Sequence, residues 1–154
     1  EIRPRDWSSA VCSSDLVHRH IRGEGAHVLT LHHPDGSTQA RMANAYEADL
    51  FIALEGNGLP VNRLAYFRGT NFWSQPGLAL AAQLGHAIER ISGVTPHIVG
   101  MRLPLLRETR MPAVIAEIGP ASLVVLRNEQ LAEQLVQALI SWASAPTANA
   151  SPAL

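Results

Sequence analysis

Two short apolar runs in this chain stop on a carboxylate. "DLFIALEGN" reaches Glu55, and "PAVIAEIGP" reaches Glu117. Runs of this length and composition read as strands buried on both faces of an α/β sheet. In open sheets of that class, ligands bind beyond the carboxyl ends of the strands. A carboxylate placed there is costly to desolvate unless it is paired, hydrogen-bonded or bound to a metal. Two of them at one sheet edge fit a metal site or an acid–base pair. The alternative is structural, with each Glu capping or salt-bridging a neighbour and "EGNG" serving as a turn. Asn57 shares that choice between rim of a site and turn residue.

The elements that would position these groups follow from the pattern. "VHRHIRGEG" reads as a helix end stopped by Gly23 and Gly25. "AHVLTLH" (Ala26 to His32) reads as a strand and "HPDGS" as a turn. Asp35 or Ser37 caps a helix over "STQARMANAYEA". Strands are expected at Asp49 to Gly56, Arg63 to Gly69 and Pro112 to Gly119, with "GNGLPVN" a loop. Ser74 opens a long helix with Pro76 in its first turn. "SGVTPHIVGMRLP" reads mostly as loop. A final helix, "VLRNEQLAEQLVQALISWA", sets Leu126, Leu131, Leu135, Leu139 and Trp142 along one face. Strands alternating with helices predict an α/β three-layer sandwich: a mainly parallel twisted sheet with helices on both faces.

Other residues invite chemistry less strongly. Arg107 and Arg110 flank the second carboxylate strand and suit acidic groups of a ligand, or a solvated loop. Trp73 suits a sugar face or a core anchor. His18, His20, His27, His32 and His33 crowd one region, but adjacent strand residues such as His32 and His33 face opposite sides. They read as surface or helix-end histidines. Cys12 is the only cysteine, which excludes an internal disulfide, and no nucleophile context surrounds it.

From about Gly25 to Ala143 the order of motifs resembles the zinc-dependent N-acetylmuramoyl-L-alanine amidases, the peptidoglycan amidases. "ANAYEADLFIALEGN" (Ala43 to Asn57) stands where that family reads "AN…ADLFISIHAN". "AYFRGTNFWS" and the helix from Ser74 match its Tyr- and Phe-rich strand and following helix. "LLRETRMPAVIAEIGP" (Leu105 to Pro120) matches its "LR.T.MPAVLVE.GF" segment, and the closing helix matches too. The resemblance spans about three quarters of the chain.

The resemblance implies Zn²⁺ on three side chains with water in the fourth position. Glu117 falls on the family's catalytic Glu, which takes the water's proton and passes it to the leaving amine. Glu55 falls on the position of a family His ligand. The other two ligands, a His and a Glu, belong upstream of "VHRHIRGEG", and nothing in this chain matches them. Asn57, Arg107 and Arg110 are the candidate substrate-binding residues. The implied reaction is hydrolysis of the amide between N-acetylmuramic acid and the L-Ala of the stem peptide. The implied setting is a monomer, secreted to the cell envelope and acting on peptidoglycan or muropeptides. The rival expectation is a degenerate amidase-like domain that binds muropeptide or regulates cell-wall enzymes without catalysis. Glu55 in place of His favours the rival; retention of Glu117 favours catalysis.

Size and composition agree with a single folded domain. The chain has 154 residues, is 47% hydrophobic and carries a net charge of −1. That balance leaves no footprint for nucleic acid, and no run is apolar and long enough to insert in a membrane. No signal peptide is visible at the start. Arg5 to Leu16, "RDWSSAVCSSDL", resembles a translated adapter of short-read sequencing libraries, with Ala10 where the adapter has Asp. Residues 1–16 are therefore expected to be a non-native leader, 17–144 a partial amidase-like domain lacking its first strand, and 145–154 a tail or linker. Alone, such a fragment is expected to aggregate or to be marginally stable.

Overall fold

A computed structural model describes residues 17–144. The expectations for residues 1–16, Cys12 included, and for 145–154 lie outside the described residues. A helix over residues 17–23 (α1) leads through an extended stretch to α2 (Gly36–Ala45). Asp35 caps α2, its carboxylate accepting from the Thr38 backbone N–H at 2.8 Å and the Thr38 hydroxyl at 2.7 Å. Those bonds hold the Asp35 carboxyl below its ordinary pKa. Then come β1 (Phe51–Gly56), β2 (Arg63–Phe67) and α3 (Gln75–Ser92). β3 (His97–Met101), the short α4 (Pro104–Glu108) and β4 (Ala113–Ile118) follow. α5 (Ala121–Leu126) and α6 (Asn128–Ala143) close the described chain.

The strands form one sheet in the order β1-β4-β2-β3. β1 runs parallel to β4, and β2 runs parallel to β3; the β2–β4 pairing between them is antiparallel. Parallel pairings thus predominate, as the alternating pattern predicts.

Strand side chains alternate between faces, so each face has its own core. Leu54, Leu64, Val114, Ala116 and Ile118 pack against α3 and α6. Phe51, Ala53, Ala65, Ala113 and Ile115 pack against α2 and α4. The sheet is therefore sandwiched, which is why β1 and β4 read as continuous apolar runs. The α3–α6 contact brings Leu80, Leu84 and Ile88 together with Leu131, Leu135 and Leu139, all essentially buried. Each such side chain contributes about 1.5–3 kcal/mol relative to exposure, so this face carries most of the apolar burial.

β1 ends the sheet on one side. Beside it lies a cavity of about 770 Å³ between β1, α1, residues 24–31 and the end of α6. Val17, Ile21, Leu29, Ile52, Leu139 and Trp142 are among its walls.

Four local expectations are corrected. Residues 26–32 form no strand; Leu31 is buried, but the stretch joins no ladder among the described residues. Apolar composition alone does not make a strand without a partner for its backbone groups. Conversely, β3 forms in a stretch expected to be loop. It is a largely exposed edge strand whose apolar residues Ile98, Val99 and Met101 are interrupted by Gly100 and preceded by Pro96, both of which look like loop signals. Gly100 fits because Arg68 lies over it: a Cβ there would sit 2.5 Å from the Arg68 Cβ. The closing helix is broken at Arg127, which leaves helical geometry at φ −119°, ψ 27°. As a result Leu126 is 81% exposed rather than on the buried face with Leu131, Leu135, Leu139 and Trp142. Trp73, 43% exposed, is no core anchor either.

One buried polar residue locks the end of the sheet. Asn62 is fully buried; its Oδ1 accepts from the Gly119 N–H at 3.1 Å. Its Nδ2 donates to Ser92 Oγ at 2.8 Å and to the Val94 carbonyl at 3.1 Å. Asn62→Ala strands the Gly119 N–H in a buried place, which costs about 1–3 kcal/mol. Urea unfolding of the two proteins measures it as a lower midpoint with an unchanged slope.

Candidate functional site

Glu55 is directly registered with Glu117 on the parallel pair β1–β4. Registered residues share a face, so both carboxylates emerge together near the carboxyl ends of their strands. This is the face of Phe51, Ala53, Ala113 and Ile115, over which α2 and α4 lie further down the strands. The expectation that the two acids converge at one edge is met by the register.

β2 runs the other way beside β4, so its first residue reaches the same row. Arg63 is registered with Glu117 and donates from Nη2 to Glu117 Oε1 at 2.7 Å. The next strand places His97 beside Arg63. One row thus reads Glu55, Glu117, Arg63, His97 across four strands. The Arg63 pKa is raised, first by the hydrogen bond to Glu117, against some desolvation, with the charges of Glu117 and then Glu55 adding. The side chains of Arg63 and Glu117 are 44% and 25% exposed. A pair this open contributes at most about 1 kcal/mol to stability, so its main consequence is to fix where the Glu117 carboxylate points. Arg63 and His97 were not legible as site residues, because nothing local tells that β2 is antiparallel to β4.

The loop after β1 shapes the rim. Asn57 donates from Nδ2 to the Val61 carbonyl at 2.9 Å and accepts at Oδ1 from the Leu59 N–H at 2.6 Å. Its backbone carbonyl accepts from the Ala121 N–H at 2.9 Å. The Asn57 amide is therefore engaged in holding the 57–62 turn against the end of β4.

The structure does not bring Arg107 and Arg110 to this row. They precede β4, whereas Glu117 lies near its far end, four strand residues beyond Ala113 and so about 13 Å farther on. Arg107 pairs with Glu108 at 2.9 Å, and the Arg110 backbone N–H donates to Asn44 Oδ1 at 2.8 Å. Trp73 bridges Arg68 at the opposite end of β2 from Arg63. Of the histidines, His18 meets Thr30 Oγ1 at 2.8 Å, and His33 Nδ1 accepts from the Asp35 N–H at 3.0 Å.

No protein-family model matches the sequence, and no curated protein sequence does. Solved structures do. The N-acetylmuramoyl-L-alanine amidase from Clostridium difficile 630 superposes with a TM-score of 0.70 at 16% identity, over 94% of this chain and 95% of that one. The N-acetylmuramoyl-L-alanine amidase AmiC2 of Nostoc punctiforme gives 0.67 at 14% identity, over 92% and 94%. The catalytic domain of CwlV, an N-acetylmuramoyl-L-alanine amidase from Bacillus (Paenibacillus) polymyxa var. colistinus, gives 0.67 at 15%, over 88% and 83%. This chain has the amidase fold.

The donor set of this amidase fold can be weighed against the zinc that the sequence resemblance implies. Among the described residues no group of three or more His, Cys, Asp or Glu side chains is placed to hold a metal ion. The row offers two carboxylates, one of them already bonded to a guanidinium. A closed or catalytic zinc site takes three or four protein donors. The described residues do not by themselves fit that requirement.

Proposed function

We propose that this chain is an amidase-fold hydrolase acting on peptidoglycan at the amide between N-acetylmuramic acid and the L-Ala of the stem peptide. The observation that carries the reading is the in-register pair Glu55–Glu117 at the carboxyl ends of adjacent parallel strands, in a fold shared with N-acetylmuramoyl-L-alanine amidases. Glu117 is the general base: it takes a proton from water as the water oxygen bonds to the lactyl carbonyl carbon. It returns that proton to the L-Ala nitrogen as the C–N bond breaks. The products are a muramic acid carboxylate and a stem peptide with a free amino terminus. Arg63 keeps the Glu117 carboxylate turned toward the open end of the sheet. The substrate lies in the cell envelope, so the protein acts after secretion; no helix among the described residues is long and apolar enough to cross a membrane.

A second reading, binding of muropeptide without cleavage, is favoured by the two-donor set and by the Arg63–Glu117 ion pair. Incubating the chain with purified peptidoglycan separates the two. New L-Ala amino termini, detected by labelling and mass spectrometry, are the expected result. Co-sedimentation with the insoluble polymer and no new termini supports the second reading instead.

A further inference from the structure

We propose that Arg63 is a built-in cation that competes with a metal ion for the Glu55–Glu117 carboxylate pair. Two like charges at registered positions repel unless something neutralises them. In most cation sites that something is the ion. Here the geometry supplies it from the chain. Arg63 enters the row because β2 is antiparallel to β4, and its Nη2 sits 2.7 Å from Glu117 Oε1. Glu55 is the next residue along the row on the other side of Glu117.

A guanidinium keeps its charge at every accessible pH and presents fixed donors to a carboxylate. A divalent ion approaching Glu117 meets that charge and must either displace Arg63 or share the oxygen with it. The two carboxylates then behave as a pair already compensated from within. Beside the two upstream donors that nothing in this chain matches, this is a second reason that the row is a poor place for a divalent ion. It rests on the site reading above, though not on the chain being hydrolytic.

The test is a Zn²⁺ titration of the full chain at neutral pH, read by calorimetry and by competition with a chromogenic chelator. Arg63→Gln removes the charge and is expected to tighten zinc binding by about tenfold. Arg63→Lys keeps the charge and is expected to bind like the unmodified chain. Glu55→Gln combined with Arg63→Gln is expected to lose the gain. A gain below about fivefold in Arg63→Gln overturns the proposal, as does a gain that survives in the double variant. Arg63→Ala, read in the same way, replaces Arg63→Gln should the latter not fold. Zinc affinity is read separately from hydrolysis, so an inactive chain leaves this test standing and a failed titration leaves the peptidoglycan assay standing.

Discussion

If the proposed reading holds, Glu117→Gln is expected to lower the rate of muramoyl–L-Ala hydrolysis by about 10²–10⁴-fold, the usual contribution of a general acid–base group. The substitution keeps the shape of the side chain and an oxygen for Arg63 to bond, but removes the base. The rate constant falls while the concentration dependence on muropeptide stays close to that of the unmodified chain. Stability changes little, because the half-exposed ion pair with Arg63 is worth at most about 1 kcal/mol. Quantifying new L-Ala amino termini over time, beside a thermal melt of both proteins, gives both numbers. An unchanged rate removes Glu117 from the chemistry; a lost rate accompanied by a large drop in melting temperature shows a folding defect instead.

Gly119→Ala has the largest expected effect on stability. A Cβ at this position would stand 2.0 Å from the Leu59 carbonyl oxygen, 2.8 Å from Asn57 Oδ1 and 3.0 Å from the Val61 carbonyl oxygen. Two of these three are backbone atoms of the 57–62 turn, which cannot swing aside as the tip of a side chain can. The turn has to move, and with it the Asn62–Gly119 hydrogen bond that ties it to β4. Overpacking together with a lost buried hydrogen bond costs about 3 kcal/mol or more. For a chain of this size that lowers the melting temperature by about 6–12 °C. Hydrolysis should fall as well, since Glu117 lies two residues away on the same strand end. Circular dichroism melts of the two proteins decide it; a shift under about 2 °C shows that the turn yields freely.

Both effects concern one end of the sheet, and both are unevenly visible in the sequence. "DLFIALEG" and "PAVIAEIG" announce themselves as buried strands because each is covered on two faces and so carries apolar residues without interruption. β3 is silent for another reason: it is short and exposed at the edge, and Pro96 and Gly100 break its few apolar residues into what reads as loop. The stretch from 26 to 32 misleads, since its apolar residues suggest a ladder that none of the described strands provides. The face of α6 was legible through Leu131, Leu135, Leu139 and Trp142, whereas Leu126 was lost to the break at Arg127.

By itself, the amino-acid sequence determined the α/β class, the two strands that end in acid, the long helix capped at Ser74 and the buried stripe of the last helix. All of these depend on neighbours within a few positions, where periodicity and capping act. Only the tertiary structure decided that Glu55 and Glu117 stand side by side, that Arg63 joins them from an antiparallel strand, and that Arg107 and Arg110 lie at the other end. Those relations are fixed by strand order, direction and register. Register in turn is set by which faces must be buried together, a condition on residues more than fifty positions apart.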